Sequence, residues 1–260
     1  MTMECWILYD RADLEHNRFF AERLRDNGER LGMRTRVVTT GSMDGCPDLV
    51  VSRARDWHIS EKLESLGARV FNDSRTCRVC NDKLETYRMA GRLGIPFLPC
   101  SVPGEDLPDG PPWVVKSRSG HGGSQVAMAE DRDELERIID QIPDPVVQEA
   151  APVLGRDMRA YVLDGEVLAC VMRSSDNDFR ANYSLGGRAE LCEPPEECLG
   201  MIEKMVSELH PMFVGVDFVF GDRPYLNEVE DVVGTRMLYS LTDLDPARLL
   251  MECVHSKRSL

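Results

Sequence analysis

The sequence predicts a mixed α/β protein, with a parallel sheet flanked by helices first and mainly antiparallel strands after it. Three patterns predict this. Strands and helices alternate over residues 1–75, a glycine loop sits between two strands near Gly120, and hairpin-linked strands dominate from Val146 onward.

The elements follow in order. Cys5 to Tyr9 is a short apolar strand, and Arg18 to Leu31 carries helical spacing through Phe19, Phe20, Leu24 and Leu31, stopped by Gly32. Arg34 to Val38, Leu49 to Ser52 and Ala68 to Phe71 are further strands, with a second helix over Ser60 to Leu66. Near Asn81 a new unit opens. Asp82 to Leu93 repeats apolar residues at helical steps and closes at Gly94. A Pro/Gly/acidic loop covers Pro103 to Pro112 and leads to strands at Trp113 to Lys116 and Gln125 to Met128, then a helix over Asp131 to Ile139. Beyond it come strands at Val146 to Glu149, Asp157 to Leu163 and Val167 to Arg173, the last two joined by the hairpin signal Asp164-Gly165. A helix over Pro195 to Leu209, a strand pair at Gly215 to Phe220 and Pro224 to Glu230, and a helix over Pro246 to Val254 complete the chain. The expected units are 1–75, 76–146 and 147–260. No glycine fingerprint for a dinucleotide follows the first strand.

Composition narrows the function classes. Among 260 residues, 45 acidic side chains against 31 basic ones give a net charge of -14, which disfavours a duplex-binding surface. Nucleic acid is therefore not an expected partner. No apolar run approaches the roughly 20 residues that span a bilayer, so no membrane is expected either. Met1 to Tyr9 lacks the build of a secretory leader, and a cytoplasmic location is the expectation. The nine scattered cysteines fit a reducing compartment. Cys77 and Cys80 form an isolated Cys-x-x-Cys with no second pair to complete a tetrahedral metal site, and read as ordinary thiols near a helix start.

Three clusters carry chemistry. Lys116-Ser-Arg-Ser-Gly120-His-Gly122-Gly123-Ser124 is not a Walker A loop, because its Lys precedes the glycines and a strand follows it. Its amides suit a lid over a polyphosphate; a plain glycine-rich hairpin fits the pattern equally well. Asp217, Glu228 and Glu230 fall on two strands of one hairpin, with Glu228 and Glu230 on the same face. Gathered acids of this kind repel unless a cation neutralises them, and Mg²⁺ bridges such carboxylates to phosphates. A solvated acidic strand is the plainer alternative, weakened by apolar Val216, Phe218, Leu226 and Val229 around them. Arg156, Asp157, Arg159, Arg173, Arg180 and Asn182 form a polar stretch between the two, suited to phosphoryl oxygens and a substrate carboxylate or to surface ion pairs.

Taken in register, Asn81-Asp-Lys-Leu84, Pro112-Trp-Val-Val-Lys116, Val147-Gln-Glu149, Gly155-Arg-Asp-Met-Arg159, Asp178-Phe-Arg-Ala-Asn182, Gly186-Gly187, Gly215-Val-Asp217 and Glu228-Val-Glu230 resemble the ATP-grasp superfamily, specifically its RimK-like branch of amino-acid and peptide ligases. The resemblance implies an N-terminal parallel-sheet domain, a small lid and a C-terminal antiparallel sheet that clamps ATP. It implies ligation of a small-molecule or peptide carboxylate to an amine through an acyl phosphate. Lys83 and Lys116 would hold ATP phosphates, under a lid containing Gly120, Gly122 and Gly123. Glu149 and Ala150 would flank adenine, and Asp157 would take the ribose. Arg180, Ala181 and Asn182 would line the phosphate end, and Asp217, Glu228 and Glu230 would hold two Mg²⁺ ions, with Mn²⁺ an alternative. Arg173 and Arg180 would stabilise the transferring phosphoryl group. Two departures stand out: Glu230 occupies a position where the family usually has Asn, and Val233 and Arg236 surround Gly234 where a Pro often precedes the glycine. A thiol acceptor, a kinase, or an ATP-binding scaffold without turnover are the rival readings. The sequence leaves homo-oligomerisation and the identity of both substrates open.

Overall fold

The computed structural model describes residues 2–123, 125–181 and 186–257. Its first sheet is parallel. β1 (Glu4–Tyr9), α1 (Arg11–Arg30), β2 (Arg34–Thr39), β3 (Leu49–Arg53), α2 (Trp57–Ser65) and β4 (Arg69–Phe71) form it in the order β2-β1-β3-β4. β1 and β3 are buried along nearly their whole length, the reason both read as continuous apolar runs. α1 begins seven residues before its apolar stripe does. Its first turns are largely exposed and are followed by a break in helical geometry at Asn17, so periodicity could not reveal them.

α3 (Ser74–Cys80), which the sequence reading missed, is a single short turn-rich helix whose Asp73 accepts from the Thr76 amide. Cys77 and Cys80 therefore lie inside that helix rather than at a helix start. Burial pushes both thiols up, and both are free. α4 (Lys83–Leu93) follows directly. Asp82 caps it by accepting from Leu84 and Glu85, and Gly94 ends it in the left-handed region.

A second sheet, β5-β8-β6-β7, is antiparallel and built from β5 (Cys100–Ser101), β6 (Trp113–Ser117), β7 (Val126–Ala129) and β8 (Pro145–Glu149). α5 (Arg132–Ile139) covers it through Leu135, packed with Trp113, Val115, Ala129 and Val147. The glycine loop joins β6 to β7.

The third sheet is the largest. β9 (Arg156–Leu163), β10 (Glu166–Ser174), β11 (Arg188–Cys192), β12 (Phe213–Phe220) and β13 (Pro224–Glu230) align antiparallel as β11-β10-β9-β12-β13, with α6 (Glu196–Leu209) before β12. Positive φ at Asp164 and Gly165 makes the tight turn between β9 and β10. The edge strand β11 escaped the sequence reading, having no buried face to impose alternation. One sheet face is apolar: Met158, Ala160, Val162, Val214, Val216, Phe218, Leu226 and Val229 pack with residues of α4 and α6. Strand alternation therefore turns Asp157, Arg159, Asp217, Glu228 and Glu230 together onto the opposite face.

After α7 (Arg236–Leu241), also unread in the sequence, α8 (Pro246–Ser256) returns to the first sheet. Its Leu250, Met251 and Val254 share a core with Ile7, Leu24 and Phe71. Buried Asn72 staples the parallel and antiparallel sheets together. Its side-chain oxygen accepts from the Met212 and Phe213 amides at 2.7 and 3.1 Å, and its NH₂ donates to the Phe213 carbonyl at 2.9 Å. Asn72→Ala strands all three backbone groups in a dry interior. Its expected cost is about 3 kcal/mol, read as a lowered urea midpoint with unchanged slope.

Candidate active site

Two clefts meet between the second and third sheets. The first, about 780 Å³, lies between Val114, Lys116 and Gln148 on one side and Asp157, Val219, Asn227 and Glu228 on the other, with the glycine loop and Phe179 to Ala181 closing over it. The second, about 1080 Å³, runs from the glycine loop past Arg55, Asn81, Glu230 and Asp231 to Arg236 and Met237.

Lys116 is placed by its strand and by an irregularity opposite it. The β12–β13 register shifts between Asp217 and Phe218, so Asn227 is extra and its side chain turns towards β6. Lys116 Nζ donates to Asn227 Oδ1 and Gln148 Oε1, both at 2.7 Å. Gln148 is itself fixed by donating to the Leu98 carbonyl. Burial disfavours the ammonium and lowers Lys116 to about 8, although Glu228 pulls the other way. Lys83, at the start of α4, donates to the Gly120 carbonyl and lies 3.4 Å from Glu228. Arg180 is gripped by both oxygens of Asp178 and donates to the Gly123 carbonyl at 2.7 Å. The glycine loop is thus held closed from both ends by cations. Gly155 sets the Arg180 segment in place: it sits at φ +64°, and a Cβ there would lie 2.6 Å from the Ser175 carbonyl oxygen.

The acid cluster has a different electrostatic balance from the one the sequence suggests. Ligand oxygens of Asp217, Glu228 and Glu230 lie within 4.8 Å of one another. Their neutralising cations are already built in. Arg159 Nε and Nη2 meet the two Asp217 oxygens at 2.7 and 2.6 Å, and its Nη1 reaches Glu230 at 2.9 Å. Arg173 bridges Asp217, at 2.7 Å, to both oxygens of Asp157, at 2.6 and 2.8 Å. Burial alone would raise the Asp217 carboxyl, but the two guanidiniums outweigh it and hold Asp217 down at about 2. Burial, with Glu228 and Asp217 nearby, raises Glu230 despite Arg159. Glu228 is the acid least committed to protein cations.

Arg173 is 4% exposed, donates to Asp157 and Asp217 through Nε and Nη2, and lines the second cleft. It does not project into the first cleft as Arg180 does. Asp157 lines that cleft but is tied to Arg173 through both oxygens. Glu149 and Ala181 line it too, whereas the Ala150 amide donates to the Pro112 carbonyl and Ala151 takes the lining position. Asn182 and Ser124 fall outside the described residues. The sequence reading missed Gln148, Asn227 and His121. Asn227 carries no motif, Gln148 was visible only as the middle residue of Val147-Gln-Glu149, and His121 only as the one side chain between the loop's glycines.

The second cleft has its own frame. Buried Arg53 donates to the Asp231 and Val233 carbonyls at 3.0 and 2.6 Å, and Tyr161 donates to the Gly234 carbonyl, so the turn after β13 is pinned where Arg236 follows. Asn81 donates to Asp231, whose carboxyl burial raises to about 6.

Because Asp217 is the shared partner of two buried guanidiniums, Asp217→Asn is a stability change as well as a site change. Its expected cost at pH 7 is about 3–5 kcal/mol. A depressed carboxyl stabilises the fold above its unfolded pKa of about 4 and ceases to as pH falls through its folded value. The gap between wild-type and variant urea midpoints should therefore narrow as pH falls from 4 towards 2.

Similarity to known proteins agrees with this geometry. The family model of the RimK-like ATP-grasp domain matches residues 107–254. The glutamate–LysW ligase ArgX of Sulfurisphaera tokodaii is 30% identical over 228 residues, covering 80% of each chain. An uncharacterized protein of Mycoplasma genitalium is 25% identical over 264 residues, 96% of this chain and 92% of its own. The solved RimK domain ATP-grasp protein of Sphaerobacter thermophilus superposes with a TM-score of 0.74 at 20% identity, covering 96% of this chain and 98% of that one. This chain belongs to the RimK-like ATP-grasp family.

Proposed function

We propose that the protein is an ATP-dependent ligase that joins a carboxylate to an amine through an acyl phosphate, releasing ADP and phosphate. The observation that carries this reading is the meeting of the two clefts at Lys83, Glu228 and the glycine loop. Nucleotide in the first cleft presents its γ-phosphate to a carboxylate in the second. A carboxylate oxygen displaces ADP, and the amine then displaces phosphate. Lys116 and Lys83 hold phosphate oxygens, and the loop amides exclude water. Arg180, at the open end of the first cleft, meets charge on the transferring group. Arg173 acts at one remove by fixing Asp157 and Asp217.

Charge counting supports a cation that arrives with the nucleotide. Asp157, Asp217, Glu228 and Glu230 are balanced by Arg159, Arg173, Lys83 and Lys116, so a polyphosphate adds negative charge that the fixed cations do not cover. Glu228 and Glu230, with Asp217 behind them, offer the oxygens to share Mg²⁺ with phosphate. Their number suits two ions, and Mn²⁺ fits the same oxygen set. The ion supplies charge neutralisation of the phosphoryl oxygens. Glu230 in place of the family's usual Asn adds one negative charge here. The Sulfurisphaera relative's name couples glutamate to LysW; an amino acid on one side and a peptide or small carboxylate on the other is the substrate class we assign.

ADP release should require both a carboxylate and an amine, and ¹⁸O from labelled carboxylate should appear in the released phosphate. Amide formed without label in phosphate would overturn the acyl-phosphate route. Glu228→Gln should abolish the Mg²⁺-dependent reaction while leaving the urea midpoint close to wild type, since it breaks no bidentate buried pair.

Lys116 makes nucleotide binding pH-dependent. Phosphate binds the ammonium form, which the ligand-free protein loses as pH rises through about 8. Nucleotide affinity should be flat in this respect below that pH and fall by up to about tenfold per pH unit above it. Calorimetric titration should show this slope in wild type and its absence in Lys116→Met.

A further inference from the structure

Aminolysis of an acyl phosphate needs an amine that has lost its ammonium proton, and the residues named so far supply no group to take it. Among the described residues, Lys83, Gly120, His121, Gly122 and Glu228 line both clefts. The glycines have no side chain, Lys83 is a cation, and Glu228 faces Lys83 and the phosphate end. Elsewhere in the second cleft the arginines cannot accept a proton, and burial holds the Cys80 thiol in its protonated form. Asp231, which accepts from Asn81, and Glu230, which accepts from Arg159, line the second cleft but not the first. Among the described residues, His121 carries the imidazole that lines both clefts.

We propose that His121 is a catalytic residue of this protein, accepting the proton of the attacking amine as the amide forms, an assignment that rests on the ligase reading above. The lone pair released on the amine nitrogen forms the C–N bond. The acyl C–O bond to phosphorus then breaks with its electron pair leaving on phosphate, and the second nitrogen proton departs with that phosphate.

The surroundings of His121 favour the role. Partial burial pushes the ring below its ordinary value, and the guanidinium of Arg55 and the ammonium of Lys83 push in the same direction. Asp13, paired with Arg55, and a hydrogen bond to the Ser119 backbone oppose them. These groups come from the segment after β3, from the start of α4, from α1 and from the loop itself. The net direction keeps the ring neutral at the pH where an ammonium substrate arrives, the state a base requires. The position on the glycine loop also ties the base to the nucleotide: the loop that closes over phosphate carries the imidazole to the junction with it.

The experiment compares wild type with His121→Asn and His121→Gln, using ATP and a panel of amino-acid and peptide carboxylates. Each is run with two kinds of acceptor. One is the amino acid that turns over fastest in wild type, which enters as an ammonium ion. The other is hydroxylamine, which is already neutral near pH 7.5 and needs no base to attack. Amide formation should fall by about 10²–10³ in both variants, while hydroxamate formation falls much less. The acid limb of the wild-type pH profile that reports the imidazole should be missing. An equal loss with both acceptors would mean that His121 only shapes the loop, and undiminished amide formation would mean that it takes no proton; either overturns the assignment. Wild type that makes neither hydroxamate nor amide would remove the ligase reading, and His121's role with it.

Discussion

The ladder of buried ion pairs running Glu230–Arg159–Asp217–Arg173–Asp157 is the interaction on which the site depends. It crosses four strands of the antiparallel sheet: Arg159–Asp217 and Arg173–Asp157 join residues that the strand register sets side by side, while Glu230–Arg159 and Asp217–Arg173 each reach across one intervening strand. Charges are taken out of water here at a cost of several kcal/mol each, which only close, bidentate pairing offsets. Such a network is weak evidence for net stability but strong evidence for geometry. It permits one arrangement of the polar sheet face, because any slip of register would leave a buried charge without its partner.

The rest of the site is built out from that ladder. The opposite face of the same strands is apolar and packs with α4 and α6, which brings Lys83, at the first residue of α4, to Glu228 at the end of the acid row. The bulge at Asn227 lets β13 serve two sheets at once, carrying Glu228 towards the acids and an amide oxygen towards Lys116. Asn72 and Arg53 then fix the N-terminal sheet to the C-terminal one through backbone carbonyls and amides, so the second cleft has walls from both. The two clefts therefore share a floor. Their cover, the glycine loop, is held in part by contacts that Lys83 and Arg180 make to its carbonyls. Those are the same cations that phosphate would attract, so closing the loop and binding polyphosphate draw on the same charges.

Much of this was legible from the sequence because it rests on local rules. Apolar periodicity placed every strand of the parallel sheet and most of the antiparallel ones. Gly94 and Asp164-Gly165 marked an end and a turn through backbone chemistry that needs no tertiary partner. The period of two put Glu228 and Glu230 on one face. The failures have the same logic in reverse. α3 and α7 are too short to show a period, the start of α1 has no apolar stripe, and β11 has no buried side.

The sequence by itself determined the α/β order and the family, because covalent order and side-chain type are sufficient for those. Tertiary structure alone decided which cation answers which acid. Asp217 lies 44 residues from Arg173 and 58 from Arg159, and only the strand register brings those groups within hydrogen-bonding distance. It likewise decided that Arg173 lines the second cleft and Arg180 the first, and that His121 lines both. Electrostatic energy depends on distance and on exclusion of water, and neither is a property of sequence position.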